Sequence, residues 1–228
     1  MISADQISRF KRDGFATVQS LIDRETVEIL RGLYDRFLRQ EIDCGVNDRY
    51  LGGITRQVLR PSLYHAYFKD NPAICAAKTI FTELVGAEPT LNFDMLISKD
   101  PGNRNETPWH QDFAYWQMPF KPDGLPITNE HLQFWVALDD VDPDNGCMHF
   151  IPGEGRFTSR KHFIASGRSD DEGRLLATEE VDVSASIPCP LSAGGCTVHS
   201  EGTPHFTTGN TTSDRRRRAY IFNLARAN

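Results

Sequence analysis

Two side chains in the segment 108–112, Pro-Trp-His-Gln-Asp, could bind one metal ion. If residues 109–113 form a strand, His110 and Asp112 project from the same face, about 6.8 Å apart along the backbone. The long imidazole and the short carboxylate can then converge on a single ion. A His-x-Asp pair is common by chance, and a third ligand must come from elsewhere. Two imidazoles and a carboxylate with open coordination positions are typical of non-haem Fe(II) oxygenases.

A second segment, residues 199–205, supplies two candidates for the third ligand, His199 and His205. The first ends a predicted strand, and the second begins a stretch that reaches Asn210. The polar residues that follow Asn210 predict a reversal of the chain. The chain then re-enters a strand, and a hairpin of this kind would bring an arginine back beside His205.

Four consecutive arginines, residues 215–218, open that returning strand. Strand alternation places Arg215 and Arg217 on one face and Arg216 and Arg218 on the other. At most half of the run can therefore face a site, and we interpret Arg216 and Arg218 as a solvated edge. A guanidinium facing inward could hold a carboxylate through two parallel hydrogen bonds, which a lysine cannot do.

Composition limits the classes of partner. The 228 residues are 39% apolar, which is enough for one sizeable core and a single domain, residues 1–228. The net charge of −6 argues against nucleic acid or an anionic membrane as the main partner, because both select basic surfaces. A small anionic ligand would need a local positive pocket. Oligomeric state cannot be inferred from these features.

The cysteines and the first residues of the chain predict the cellular compartment. Five cysteines form no Cys-x-x-Cys pair, and their number is odd, so neither a zinc knuckle nor a disulfide framework is indicated. The start has no basic region followed by an apolar run, and no 18 apolar residues occur in succession. We therefore expect a cytoplasmic protein with reduced thiols.

Residues 1–88 are predicted to be mostly helical support. A capping box at residues 3–6 starts a first helix that runs to about Arg12, Asp23 caps a second, and Pro72 starts a third that Gly86 ends. Residues 43–60 are polar and rich in glycine, which indicates a mobile connection leading into the short segment 56–60.

Residues 89–228 are predicted to form the β core. Short strands separated by turn residues favour a jelly roll. Residues 152–190 are too long for a simple turn and predict a lid or loop insertion. The predicted class is mainly β, with N-terminal helices and a double-stranded β-helix (jelly-roll, cupin-like) core. The predicted strands are residues 91–98, 109–114, 132–138, 147–151, 195–199 and 219–224.

Four motifs in order give the chain its resemblance to a known family. The segments are 7–15 (ISRFKRDGF), 96–102 with 109–112 (LISKDPG and WHQD), 135–140 with 144–153 (WVALDD and DNGCMHFIPG), and 205–219. Together they are similar to the phytanoyl-CoA dioxygenase family of Fe(II)- and 2-oxoglutarate-dependent oxygenases. The resemblance covers nearly the whole chain.

The resemblance implies a cofactor set and a site. Fe(II) is the implied metal, 2-oxoglutarate the cosubstrate and dioxygen the oxidant. In the family's closing motif, an arginine two residues before an alanine binds the distal carboxylate of 2-oxoglutarate, and Arg217 has that position here. This chain has one more residue than the motif between Asn210 and its arginines, so Arg216 also remains a candidate, with Arg217 preferred. The implied iron ligands are His110, Asp112 and His205, and the implied 2-oxoglutarate residues are Arg217, Thr207, Trp135, Met95 and Gln57.

The resemblance also guides the expected reaction. Halogenating relatives replace the carboxylate ligand with a small residue, so an intact Asp112 implies hydroxylation or a related oxidation. The aromatic residues after the ligands predict a pocket for a small, mainly apolar molecule. A zinc-dependent hydrolase using the same ligands and a catalytically inactive binding module are the alternatives. The candidate pocket residues are Phe113, Tyr115, Trp116 and Phe120.

Overall fold

The helices begin and end at residues suited to those positions. A computed structural model of the chain describes residues 2–51, 55–116, 124–167 and 175–227. The Ser3 hydroxyl accepts a hydrogen bond from the Gln6 backbone, and the Gln6 side chain accepts from the Ser3 backbone, which completes a capping box. Gly14 ends this helix in the left-handed conformation, with φ of 85°. The helices are α1 (Ala4–Asp13), α2 (Arg24–Leu38), α3 (Pro72–Val85) and the short α4 (Phe113–Trp116).

Thirteen strands are assigned in the part of the chain that the structure describes. All the strand pairs are antiparallel. The strands are β1 (Phe15–Val18), β2 (Asp48–Leu51), β3 (Thr55–Leu59), β4 (Pro89–Lys99), β5 (Thr107–His110), β6 (His131–Ala137), β7 (Met148–Phe150), β8 (Phe163–Ile164), β9 (Leu176–Ala177), β10 (Ile187–Cys189), β11 (Cys196–Ser200), β12 (His205–Thr207) and β13 (Arg217–Arg226).

Two antiparallel sheets form the core. The larger has the order β1-β11-β6-β13-β4-β3-β2 and the smaller has the order β10-β7-β12-β5. Alternate residues of β6 and β13 face the smaller sheet, so Trp135 and Ile221 pack in one cluster with Met148 and Phe150. The predicted class, mainly β with N-terminal helices and a jelly-roll core, is confirmed.

The helices cover the outer face of the large sheet. The intervening residues of the same strands, including Phe134 and Phe222, form a second cluster with Leu30 and Phe37 of α2 and Phe81 of α3. The large sheet is therefore buried on both faces, which makes it a rigid support for one wall of the space between the sheets. No helix among the described residues is long and apolar enough to cross a membrane.

The connection predicted at residues 43–60 is instead largely strand. Strands β2 and β3 pair with each other, and β3 pairs with β4, so this segment extends the large sheet. The prediction missed these strands because their residues are polar; β2 is the edge strand of the large sheet, where one side of the backbone is unpaired. Residues 52–54, between the two strands, lie outside the described residues.

Two further local predictions were wrong. The strand expected at 109–114 ends at His110, because backbone hydrogen bonds from Ala114 to Gln111 and from Tyr115 to Asp112 turn the chain into α4. Residues 205–218 do not form a hairpin, since β12 pairs with β5 and β7 in the small sheet and β13 pairs with β4 and β6 in the large one. The chain crosses between sheets at this point.

The predicted insertion at 152–190 is folded in its described parts. It contains a 3-10 turn at Glu154–Phe157 and the strands β8, β9 and β10. The Thr178 backbone donates to the Trp109 carbonyl, which fastens the insertion to the strand that carries His110. Its role as a lid stays a prediction.

Candidate metal and 2-oxoglutarate site

His110 and His205 meet because their strands are neighbours in the small sheet. His110 is the last residue of β5 and His205 is the first residue of β12, and the two are register partners. Their ring centroids are 4.1 Å apart. Asp112 follows in the turn after β5, so that turn, rather than strand alternation, brings its carboxylate to the two rings.

Backbone acceptors set the orientation of both imidazoles. His110 Nδ1 lies 2.7 Å from the Pro108 carbonyl oxygen, and His205 Nδ1 lies 2.9 Å from the Thr203 carbonyl oxygen. A carbonyl only accepts, so each Nδ1 carries the proton and each Nε2 presents a lone pair. Neutral imidazoles with free Nε2 atoms are suited to bind a metal ion.

The two free nitrogens face one oxygen of Asp112. His110 Nε2 is 3.8 Å and His205 Nε2 is 3.6 Å from Asp112 Oδ1. One potential ligand atom from each of the three buried residues lies within 4.8 Å of the other two. This spacing suits a single ion between them, and the donor set of two nitrogens and one carboxylate oxygen fits Fe(II).

His199 occupies a different position around the same carboxylate. Its Nε2 lies 3.2 Å from Asp112 Oδ2, whereas Oδ1 is the oxygen nearest to the other two nitrogens. An Nε2–H group that donates to a carboxylate has no lone pair left for a metal at that atom. The geometry therefore supports His205 as the third ligand and gives His199 the role of orienting Asp112.

The protonation states agree with metal binding. Burial lowers the pKa of His110, and burial together with the nearby His110 lowers the pKa of His205 well below its ordinary value. Burial acts to raise the pKa of Asp112, but the adjacent His205 and His199 outweigh it and hold that pKa below the ordinary value. Neutral imidazoles beside an ionised carboxylate are the forms that bind metal.

These three residues line a cavity of about 390 Å³ between the two sheets. Every residue that the family resemblance implied for 2-oxoglutarate binding lines this cavity. Its wall brings together strands β3, β4, β6, β12 and β13. The implied residues on it are Gln57, Met95, Trp135, Thr207 and Arg217.

Arg217 is fully buried beside this cavity without a carboxylate partner. Its side chain is 1% exposed, and its Nε and Nη1 atoms have no hydrogen-bond partner among the described residues. The guanidinium carbon lies 5.3 Å from the Trp135 ring centroid. Burial lowers the pKa of Arg217 to about 10, which leaves it charged at neutral pH. An unpaired buried guanidinium is costly, so the site fits an anionic ligand such as the distal carboxylate of 2-oxoglutarate.

The other arginines of the run have partners. Arg215 pairs with Asp142, and Arg216 pairs with Asp100. Arg218 was expected on a solvated edge, but its side chain is largely buried and pairs with Asp139. The geometry supports Arg217 over Arg216 for the cosubstrate.

Lys99 is a site residue that the sequence did not reveal. It is fully buried at the end of β4, and its Nζ donates to the Thr207 hydroxyl at 2.9 Å and to the Thr208 carbonyl at 2.7 Å. Burial, with a smaller contribution from Arg217, lowers the pKa of Lys99 to about 6. Because Lys99 donates to the Thr207 oxygen, the Thr207 hydrogen remains free to donate to a ligand. The sequence feature that could have revealed Lys99 is a lysine within an apolar strand.

The aromatic residues after the ligands divide between two cavities. Tyr115 and Trp116 line the main cavity, and Tyr115 packs edge-on against His110 with ring centroids 5.5 Å apart. Phe113 instead lines a neighbouring cavity of about 250 Å³, which Trp116 also lines, and its place in a substrate pocket stays a prediction. Phe120 lies outside the described residues.

Comparison with known proteins places these features in a family. The family model described as phytanoyl-CoA dioxygenase (PhyH) matches residues 10–219. Phytanoyl-CoA dioxygenase domain-containing protein 1 of Danio rerio is 29% identical over 170 residues, which are 70% of this chain and 54% of that protein. Ectoine dioxygenase of Stutzerimonas stutzeri is 24% identical over 97% of this chain and 77% of that protein.

A solved structure has the same fold along the full chain. EvdO2 from Micromonospora carbonacea var. aurantiaca, crystallised with 2-oxoglutarate, has a TM-score of 0.81 and 27% identity over 100% of this chain and 92% of that chain. The chain spans about half the length of the phytanoyl-CoA dioxygenase relatives that it matches. On the match to the family model, this chain belongs to the phytanoyl-CoA dioxygenase family of iron- and 2-oxoglutarate-dependent oxygenases.

Proposed function

We propose that the chain is a dioxygenase that uses Fe(II), 2-oxoglutarate and dioxygen to oxidise a C–H bond of a small, largely apolar metabolite. Hydroxylation is the proposed outcome: one oxygen atom of dioxygen enters the product, and the other enters succinate as 2-oxoglutarate loses carbon dioxide. The observation that carries the proposal is the buried guanidinium of Arg217 in the same cavity as His110, Asp112 and His205, with no hydrogen-bond partner for its Nε and Nη1 among the described residues.

The residues have separable roles in this proposal. His110, Asp112 and His205 would hold Fe(II), and Arg217 would bind the distal carboxylate of 2-oxoglutarate with a hydrogen bond from Thr207. Bound iron and 2-oxoglutarate would together supply the activation of dioxygen. The chain itself orients the cosubstrate and keeps water from the reacting atoms, since Trp135 and Ile221 close the cavity on the side of the large sheet.

The proposal is tested by succinate release. Purified protein is supplied anaerobically with Fe(II), 2-oxoglutarate and ascorbate, and succinate is measured by mass spectrometry after admission of air. We expect slow succinate formation without a second substrate and faster formation with a true substrate, whose product gains one oxygen atom. His110→Ala should remove both, and His65→Ala, outside the cavity, is the control. Full activity of His110→Ala would contradict the proposal.

The same assay addresses the two alternatives. A zinc hydrolase would retain zinc and turn over without 2-oxoglutarate, and an inactive binding module would bind ligands without forming succinate. Arg217 supports neither the hydrolase nor the binding module, because neither of them requires a residue that binds a keto acid.

A further inference from the structure

The open end of the main cavity carries two cationic side chains without carboxylate partners. Arg49, half-buried, and Arg60, exposed, both line the cavity. Neither forms an ion pair in the described part of the chain. Among the described residues, the Arg60 guanidinium donates only a long hydrogen bond, 3.4 Å, to the Asn92 carbonyl, and it lies 5.3 Å from the Phe93 ring centroid. The nearby Asp94 is already engaged by the Ser62 backbone and hydroxyl.

The backbone directs both arginines to the cavity. Arg49 on β2 is the register partner of Gln57 on β3, so the two share the sheet face that lines the cavity. Arg60 follows Leu59 at the end of β3 and has φ of 51°, a left-handed conformation that non-glycine residues rarely adopt. This turn breaks strand alternation and allows both Leu59 and Arg60 to line the cavity. Strained residues of this kind are concentrated at functional sites.

Charge balance indicates what the arginines would bind. Asp112 is the single carboxylate among the described residues that line the cavity. In the loaded centre the two positive charges of Fe(II) are matched by 2-oxoglutarate, and the charge of Asp112 is matched by Arg217. Arg49 and Arg60 then remain as an excess of positive charge on the cavity wall in a chain whose net charge is −6. Asp94, which interacts electrostatically with Arg60, offsets part of this charge but does not line the cavity. Any positive charge on Lys99 would add to this excess.

Aromatic residues also line this cavity. Phe93, Trp116 and Phe206 line the cavity together with the two arginines. Aromatic rings beside a guanidinium pair suit a ligand with an apolar body and a charged end. Resting on the proposed oxygenase function, we propose that the substrate carries an anionic group, a carboxylate or a phosphate, which Arg49 and Arg60 bind while its apolar body extends towards the metal site.

The test compares ligands that differ only in charge. The probes are 2-naphthylacetate and 2-naphthylacetamide, with 2-naphthyl phosphate as the arm that separates phosphate from carboxylate. Binding is measured by calorimetry under argon to protein that holds Fe(II) and saturating 2-oxoglutarate, so that Arg217 is occupied. We expect one of the anions to bind about tenfold more tightly than the amide, since charge-assisted hydrogen bonds are the stronger kind.

Variants assign the preference to the two arginines. Arg49→Gln and Arg60→Gln should each reduce the preference for the anion several-fold, and the double variant should abolish it without weakening the amide. Arg49→Lys, which keeps the charge, should retain part of the preference. Arg9→Gln, which alters an exposed arginine paired with Asp5 on α1, is the charge-matched control and should match the wild type.

Three results would overturn the inference: no preference for either anion in the wild type, including no binding; variants with unchanged preference; or a rise in the KM for 2-oxoglutarate in Arg49→Gln, which would assign Arg49 to the cosubstrate. Failure of the proposed function is a different result. It would appear as absent succinate formation in the wild type, whereas failure of this inference leaves succinate formation intact.

Discussion

His199 Nε2 lies 3.2 Å from Asp112 Oδ2, whereas the Nε2 atoms of His110 and His205 approach the other oxygen, Oδ1. This contact fixes the direction of the carboxylate, because the donor belongs to the rigid large sheet while Asp112 belongs to a turn. His199 is 1% exposed, and its Nδ1 has no partner among the described residues, so the Asp112 contact is its principal polar interaction.

Replacing His199 tests this positioning role. His199→Leu should lower Fe(II) affinity by about 10- to 100-fold, the range found when partners of metal ligands are removed, while the protein remains folded. His199→Gln keeps a donor and should recover part of the loss. Competition with a chelator measures the affinity, and circular dichroism checks the fold. Unchanged affinity in His199→Leu would contradict the role.

Arg217 should determine the affinity for 2-oxoglutarate. Arg217→Lys keeps a charge but loses the planar pair of donors, so the KM for 2-oxoglutarate should rise by about 10- to 100-fold. Arg216→Gln is the matched control, because Arg216 is exposed and pairs with Asp100. Initial rates of succinate formation at varied 2-oxoglutarate concentrations measure the effect. A larger change in Arg216→Gln would reverse the assignment.

We expect Lys99 to take up a proton when 2-oxoglutarate binds. Its pKa of about 6 leaves it mostly neutral at pH 7.5. A carboxylate placed beside Thr207 favours the charged form and raises that pKa, so binding should take up as much as about one proton and should weaken as pH rises above 6. Calorimetry in buffers of different ionisation enthalpy measures the uptake. It should vanish in Lys99→Met and persist in Lys69→Met, an exposed control. Uptake that is equal in all three proteins would contradict the assignment.

Because of Asp94, we expect the free energy of unfolding to depend on pH for a reason unrelated to catalysis. Burial raises its pKa to about 6, although the two hydrogen bonds from Ser62 act in the opposite direction. Since the folded pKa exceeds the unfolded value, the folded state holds the proton more tightly, and the Asp94 contribution becomes less favourable as pH rises from about 4 to 6. Above pH 6 the penalty is complete.

Asp94→Asn should remove this penalty and keep both contacts with Ser62, because the amide can accept from the backbone and donate to the hydroxyl. The variant should gain about 3 kcal/mol in the free energy of unfolding relative to wild type at pH 7 and much less at pH 4.5. Urea denaturation at both pH values measures the difference. A gain that is the same at both would show that Asp94 does not titrate in this window.

Much of the fold follows from local sequence. Ser3, Asp23 and Pro72 start the helices where capping chemistry predicted, and Gly14 and Gly86 end them with left-handed backbones. The turn residues that separate the short segments of the second half predicted a strand at residues 132–138, and β6 covers His131–Ala137. Short-range patterns of this kind depend on backbone geometry over a few residues, which is why one sequence is enough to reveal them.

Other features depended on residues far apart in the chain. The sequence supplied two histidines for the third ligand and two arginines for the cosubstrate. The crossing at residues 201–204 places His199 in the large sheet and His205 in the small one, and the crossing at residues 208–216 returns the chain to the large sheet at Arg217. The same crossing brings Thr207 within hydrogen-bonding distance of Lys99. The β2–β3 pair, which was not predicted, places Arg49 at the cavity.

The sequence by itself determined which chemical groups this protein has available: two imidazoles and a carboxylate for a metal, and guanidinium groups for anions. The tertiary structure decided which copies of those groups meet, because strand pairing and the facing of two sheets are set by packing between distant segments. Local periodicity carries no information about that packing.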